Sequence, residues 1–285
     1  MHQILALWTT PRSTSTPFEW MMRMRGDMTC FHEPFGEPWM YGEQPRWPRA
    51  TADSSRISGL TFESVWQQIR SSAKDGPVFF KDFPHFSEHR WTENFLSCFT
   101  HSFLIRRPEK VLPSILHRWP NFFIEETGFI SQRNLFDRLS DQNSSPCPIL
   151  DSDDLLDHPS AMIELYCKQV GIPFIQSALQ WKPGPREEVS WYDGGSWHDR
   201  LAVSDGLKRQ PRDYPDISET PGWVREIYEI VLPHYEYLYS HRQKPPDRIT
   251  SGDGRWPFFR QYCWGSREIA DGIFGSDRVT NRNFL

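Results

Sequence analysis

The feature that most constrains this chain lies at its start. Ile4–Trp8 is a short, wholly apolar run, and such a run reads as a buried strand. Thr9-Thr10-Pro11-Arg12-Ser13-Thr14-Ser15-Thr16 follows, and then Phe18, Met21, Met22 and Arg25 recur at i, i+3, i+4 and i+7, with Gly26 placed to close a helix. The first unit is therefore strand, hydroxyl-rich loop, helix. A loop that opens a helix offers free backbone N–H groups and the positive end of the helix dipole. The hydroxyls of Ser13, Thr14, Ser15 and Thr16 and the guanidinium of Arg12 make this loop a candidate cradle for phosphate or sulfate. Its bland reading is an ordinary Ser/Thr helix cap. Pro17 falls in the first turn, where its missing N–H costs no intrahelical bond.

Further along, Phe62, Val65, Trp66 and Ile69 mark a second amphipathic helix. Val78–Phe80 reads as a buried strand ending at Lys81–Asp82, and Phe99–Ile105 as another ending at Arg106–Arg107–Pro108, with a helix over Glu109–His117. Pro148–Leu150 is a strand ending at Asp151. His158–Pro159 starts a helix carrying Ile163, Tyr166, Cys167 and Val170 on one face, closed by Gly171. Val224, Ile227, Tyr228 and Val231 mark a last long helix. Residues 34–56, rich in proline among Trp39, Tyr41 and Trp47, read as loop. Strands alternating with helices predict an α/β fold with a parallel sheet, whose functional groups lie beyond the carboxyl ends of the strands. Lys244-Pro245-Pro246-Asp247 breaks the pattern. The expected organisation is one domain over 1–240 and a tail over 241–285, possibly docked through Trp256, Phe258, Phe259 and Trp264.

Composition narrows the partners. Lys and Arg total 32 against 37 Asp and Glu, a net charge of −5. That argues against nucleic acid and anionic membranes as partners but leaves room for a small anion site. Hydrophobic residues are only 38% of the chain, yet 13 Trp and 20 Phe supply area for a core. Cysteines 30, 98, 147, 167 and 263 are odd in number and lack CxxC spacing, which fits free thiols in a reducing compartment. No apolar run approaches a bilayer span, and the start lacks the charged end and long apolar stretch of a secretion signal. A cytoplasmic location is expected. The ten histidines show no metal-binding spacing, so no metal is expected. The pattern G-x-x-x-x-G-K-[ST] is absent, with no Gly before residue 26 and no Lys before Lys74.

These residues resemble a known family. Leu7-Trp8-Thr9-Thr10-Pro11-Arg12-Ser13-Thr14-Ser15-Thr16 is similar to the 5′-phosphosulfate loop of the P-loop sulfotransferases, with Thr14 where that loop has Gly. Phe103-Leu104-Ile105-Arg106-Arg107-Pro108, with Ser114 eight residues after Arg106, resembles their 3′-phosphate segment, with Arg107 in place of the usual Asp. Asp153-Asp154-Leu155 followed by Asp157-His158-Pro159 is similar to a third stretch of theirs. His32-Glu33-Pro34-Phe35 and Phe79-Phe80-Lys81-Asp82 resemble marks of a bacterial and fungal sulfotransferase-like branch. That branch often has Ser-Thr-Gly-Phe where this chain has Ser204-Asp205-Gly206-Leu207, so its nucleotide-closing loop differs here.

The resemblance covers about residues 1–240. It implies a P-loop NTPase-like three-layer fold and 3′-phosphoadenosine 5′-phosphosulfate (PAPS) as donor. The acceptor would be a hydroxyl or amine of a small, hydrophobic molecule, as in secondary metabolism. Such a transfer is an in-line displacement in which positioning and charge stabilisation dominate. Arg12 would then hold the 5′-phosphate and bridging oxygen, with Ser13, Thr14, Ser15 and Thr16 around it. Arg106, Ser114 and Arg107 would hold the 3′-phosphate, and Lys208 and Arg209 would close over it. Lys81 would touch the sulfuryl oxygens; its bland role is a structural pair with Asp82. Glu33, His32 and His85 are candidates for removing the acceptor proton, with Glu33 preferred for its apolar neighbours, which would raise its pKa. The aromatic loop 35–47 and Trp119–Phe123 would line the acceptor pocket. Rival readings are a kinase or NTPase using Asp151, Asp153 or Asp154 for magnesium, and a non-catalytic nucleotide-binding protein. A variant uses sulfate only as a leaving group for elimination.

Overall fold

Every residue of the first strand, β1 (Ile4–Thr9), is buried, as an apolar run must be at the centre of a two-sided sheet. The computed structural model describes residues 1–142, 147–184, 189, 202–211 and 214–245. Residues 246–285 of the expected tail, with Trp256, Phe258, Phe259, Cys263 and Trp264, lie outside the described residues. The described residues belong to one compact unit, Met1–Pro246. Five parallel strands form the sheet: β2 (Thr29–His32), β3 (Val78–Asp82), β1, β4 (Thr100–Ile105) and β5 (Ile149–Asp151), in the order β2-β3-β1-β4-β5.

Strand parity divides the core into two layers. Ile4, Ala6, Trp8, Val78, Phe80, Phe103, Ile105 and Ile149 face one cluster. It is covered by α3 (Phe62–Asp75), α6 (Pro108–Arg118), α7 (Phe129–Gln142) and α10 (Gly222–Ser240). Leu5, Leu7, Phe79, Leu104 and Leu150 face the other, covered by α1 (Ser15–Met24) and α9 (Pro159–Val170). The fold has the parallel sheet that the alternation predicts and the three-layer P-loop arrangement that the resemblance implies. Among the described residues no helix is long and apolar enough to cross a membrane.

Three elements depart from the sequence reading. Residues 34–56 contain a short helix, α2 (Gly36–Tyr41), which buries Trp39. β2 was not foreseen, because Thr29-Cys30-Phe31-His32 is a four-residue edge strand without alternation. α7 was also missed, although Phe129, Leu135, Phe136 and Leu139 carry a helical apolar spacing. The short helices α4 (Pro84–Ser87), α5 (Glu93–Leu96) and α8 (Ser152–Asp157) complete the set used below.

α1 and α6, which follow the adjacent strands β1 and β4, pack on opposite faces. The chain therefore diverges beyond these two strand ends and opens a crevice there, the usual ligand position in such sheets.

Candidate functional site

The loop after β1 is held by hydrogen bonds from every side of this crevice. Ser13 Oγ donates to the Thr10 carbonyl at 2.6 Å. Ser152 Oγ lies within hydrogen-bond reach of the carbonyls of Ser13 (2.6 Å) and Ile105 (2.9 Å), which ties the loop to the end of β4. Gln132 Nε2 on α7 reaches the carbonyls of Trp8 and Leu104, each at 3.1 Å, where β1 and β4 part. Neither Ser152 nor Gln132 carried a sequence signal, because each acts through contacts far along the chain. Arg12 and Thr14 sit at φ 61° and 70°, in the left-handed region. That conformation is rare for a β-branched residue and gathers at functional loops. Thr14 caps α1 without a side-chain bond, and a helix start of this kind is where anions bind.

Two arginines meet at this loop. Arg12 Nε donates to Ser114 Oγ on α6 at 3.0 Å. Arg106 Nη1 donates to the Arg12 carbonyl at 2.6 Å, while Arg106 Nε is buried without a partner. Thr10 Oγ1 is a second buried polar atom without one. Buried guanidinium donors are expensive to leave unbonded, so the site suits an anion.

The other predicted cations divide. Lys208 pairs with Asp205 at 2.7 Å, and Arg209 pairs with Asp157 and Asp153 at 2.6 and 2.9 Å; both line the same cavity as Arg12 and Arg106. Lys110, which the sequence reading did not name, lines it too and pairs with Asp153 at 2.6 Å. Arg107 is instead half-exposed, pairs with Glu109 at 2.8 Å, and is not among the cavity-lining residues. The acidic stretch is committed to structure. Asp151 caps α8 and accepts from Tyr235 Oη at 3.0 Å, and Asp154 pairs with Arg242. Among the described residues no group of three or more His, Cys, Asp or Glu could hold a metal.

At the other end of the cavity, Lys81 and Glu33 form a close ion pair, and Lys81 is only 1% exposed. Register explains how they meet: His32 of β2 stands beside Lys81 of β3. Glu33, at φ 40°, then turns back with its N–H on the Lys81 carbonyl at 3.0 Å. Lys81 thus pairs with Glu33 rather than Asp82. The Asp82 carboxylate accepts from the N–H groups of Phe35 and Phe83, each at 2.8 Å, and so staples the loops after β2 and β3 together. Burial raises the Asp82 carboxyl well above its usual range, against the pull of those two donors. Glu33 is buried as the sequence suggested, but its carboxylate faces Lys81 and His32 as well as apolar neighbours.

His85 on α4 also lines the cavity, among the rings of Trp39, Phe83 and Phe86. Its Nδ1 is buried without a partner, and burial lowers its pKa to about 4, so the ring is neutral at pH 7. The third candidate base, His32, lies outside the cavity lining and binds Glu19.

Arg12, Glu33, Lys81, His85, Arg106 and Ser114 open onto one cavity of about 610 Å³, in the range of small-molecule sites. Trp39, Tyr41, Trp47, Phe83, Phe86 and Trp119 form its apolar end. Of the segments expected there, loop 35–47 and Trp119 contribute to the lining, but Phe122 and Phe123 do not. Arg49 braces this wall. It binds the buried Glu126 and lies over the rings of Trp119 and Phe123, at 4.9 and 4.3 Å from their centres.

Two curated relatives from Arabidopsis thaliana, named branched-chain-amino-acid aminotransferase-like proteins 2 and 1, are 27% and 26% identical over 253 residues. These matches cover 87% of this chain and 44% of each relative, so the chain spans less than half of their length. Among solved structures, the sulfotransferase domain from the curacin biosynthetic pathway is similar with a TM-score of 0.45 and 12% identity, over 86% of this chain and 99% of that one. The sulfotransferase domain from the Synechococcus PCC 7002 olefin synthase has a TM-score of 0.42 and 14% identity, over 80% and 94%. The family model described as "Sulfotransferase domain" matches residues 2–238. This chain belongs to the sulfotransferase domain family.

Proposed function

We propose that this chain transfers a sulfuryl group from PAPS to a hydroxyl or amine of a small, hydrophobic acceptor. One observation carries the reading. A single cavity joins an anion cradle, with a buried unpartnered Arg106 Nε, to a buried Lys81–Glu33 pair and an aromatic wall.

The residues fit the donor. Arg12 and the loop Ser13–Thr16 would hold the 5′-phosphate, with Ser13 shaping the loop through its bond to Thr10. Arg106 and Ser114 would hold the 3′-phosphate, with Lys208 and Arg209 as outer cations. When bound, the donor supplies an electrophilic sulfuryl group and a phosphate leaving group. Lys81 stabilises charge on the transferring oxygens, which electrostatic preorganisation makes effective in a dry site. As Lys81 turns to that charge, Glu33 is released to take the acceptor proton. His85, neutral and with an open Nδ1, is the second candidate for that proton. The commitment of Asp151, Asp153 and Asp154 to caps and ion pairs disfavours the kinase reading.

The test is label transfer from ³⁵S-PAPS to a panel of hydroxylated and amino aromatics, paired with melting curves in adenosine 3′,5′-bisphosphate. Labelled product and a raised Tm are expected. Neither label transfer nor a Tm shift at millimolar nucleotide would overturn the reading. A Tm shift without transfer would leave the non-catalytic alternative, and product lacking the label would point to elimination.

A further inference from the structure

Behind the cavity lies a second row of buried charged groups. Glu19 projects from α1, the helix whose N-terminus is the anion cradle, and is 2% exposed. An acid there has no packing value, so its partners must account for it. Arg23 grips its Oε1, with Nε at 2.9 Å and Nη2 at 2.8 Å. The other oxygen, Oε2, lies 2.6 Å from His32 Nδ1. The second ring nitrogen, His32 Nε2, stands 3.8 Å from Glu33 Oε1, the atom that also meets Lys81. The side chains of Glu19, His32, Glu33 and Lys81 are all nine-tenths or more buried. Strand parity causes the alignment. His32 and Lys81 are register partners on the α1 face of the sheet, where Leu7 also lies, so both point toward the helix that carries Glu19.

Resting on the sulfuryl-transfer reading, we propose that Glu19 and His32 are positioning residues for Glu33, forming a relay that receives the acceptor's proton. The Nδ1–H of His32 donates to Glu19, which leaves the Nε2 lone pair toward Glu33. In the transfer, the acceptor O–H bond breaks as its oxygen bonds sulfur, and the bond from sulfur to the leaving phosphate oxygen breaks. The proton passes to Glu33; once free of Lys81, the Glu33 carboxyl closes the 3.8 Å gap to His32 Nε2 and hands the proton on, and the imidazolium so formed lies against the Glu19 carboxylate. Burial raises the Glu19 carboxyl, but His32, Arg23 and Lys81 outweigh it and hold the pKa at about 2, so Glu19 stays an anion. Among the described residues, the charged and titratable groups around the relay include Arg23 on α1, Lys81 and Asp82 on β3, Cys30 on β2 and His85 on α4. Cys30 is neutral, since burial pushes its thiol up to about 12.

His32→Asn places its amide nitrogen near Nδ1, so it keeps the bond to Glu19 and removes only the atom facing Glu33. Active enzyme requires the Glu33–His32 pair free of protons, and that pair titrates as a unit. An imidazole ordinarily holds its proton to higher pH than a carboxylate, so removing the imidazole should move the acid limb of kcat/KM down by about one pH unit. The same change should lower kcat at least tenfold, with nucleotide Kd within twofold. Glu19→Gln should move the limb in the same direction. An unmoved acid limb in His32→Asn would overturn the proposal, because a merely structural role leaves it in place. A second measurement needs no turnover and no His32 variant. In ¹⁵N-imidazole spectra the His32 titration midpoint should fall by at least half a unit in Glu33→Gln relative to the unaltered protein, and coincident curves would overturn the relay. This readout is independent of sulfuryl transfer, so loss of the relay and loss of the underlying function remain distinguishable.

Discussion

Arg106 Nη1 holds the backbone carbonyl of Arg12 at 2.6 Å while its own Nε stays buried without a partner. One side chain thus fixes the shape of the anion loop and keeps a donor in reserve. Replacing Arg106 by Ala removes both. A charge-assisted hydrogen bond contributes about 1.5–3 kcal/mol, so Arg106→Ala should weaken adenosine 3′,5′-bisphosphate binding by roughly 10- to 150-fold. Arg106→Lys keeps the charge but loses the fork and should recover only part. Isothermal titration calorimetry measures both.

Thr14 carries a β-branched side chain at φ 70°. A left-handed backbone costs an ordinary residue about 1–2 kcal/mol, while Gly costs up to about 1 kcal/mol in unfolded-chain entropy. Thr14→Gly should therefore stabilise the ligand-free protein by about 0.5–1 kcal/mol. Urea unfolding reads this directly, and a lower midpoint would show that the Thr14 side chain contributes more than its strain costs.

Lys81 and Glu33 should show non-additive stability. Removing one member of a buried pair leaves the other uncompensated and costs about 3–5 kcal/mol. Lys81→Met alone should therefore destabilise strongly, and adding Glu33→Gln should restore much of the loss. Glu33→Gln by itself should lower kcat about 100-fold or more, with bisphosphate affinity nearly unchanged. A double-mutant cycle by urea unfolding tests the coupling, and radiolabel transfer tests the rate.

Asp82 accepts two backbone N–H groups in the core. Asp82→Ala should cost about 2–6 kcal/mol, since each of the two stranded donors loses about 1–3 kcal/mol. It should also impair turnover more than nucleotide binding, because the loop carrying Glu33 is released while the Arg12 loop is not. The relevant comparison is kcat against bisphosphate Kd.

His101 accepts from Trp8 Nε1 at Nδ1 (2.8 Å), and its Nε2 lies 2.9 Å from the Leu96 carbonyl. Protonation would set an N–H against the indole N–H. Burial, partly opposed by the Leu96 bond, lowers its pKa from 6.5 to about 4. A histidine with a lowered folded pKa contributes stability above its unfolded value, and that contribution is lost as pH falls toward the folded one. Unfolding free energy should therefore drop between pH 6.5 and 4, by on the order of 3 kcal/mol from this group. His101→Asn should flatten that slope in urea titrations run across the interval. His85, also lowered to about 4, should leave a residual slope of the same sign.

The sequence by itself determined the parallel α/β class and the strand–loop–helix unit at the start of the chain, because both depend on short-range order. A strand's apolar run, a helix's 3.6-residue period and a hydroxyl-rich opening turn are written within about 20 residues. It also picked out Arg12, Arg106, Ser114, Lys81 and Glu33 as residues to watch, each at a strand end or early in the next helix. Tertiary structure alone decided which of them meet. Strand order set β1 beside β4, so Arg106 reaches Arg12 across 94 positions. Strand register turned Lys81 toward Glu33 rather than the adjacent Asp82. It also aligned Glu19 with His32, which no linear spacing links. Gln132 and Ser152 went unread for the same reason: their partners are backbone carbonyls, which leave no mark in a sequence. Local periodicity specifies which face a side chain takes, but only the packed sheet brings two faces from distant segments together.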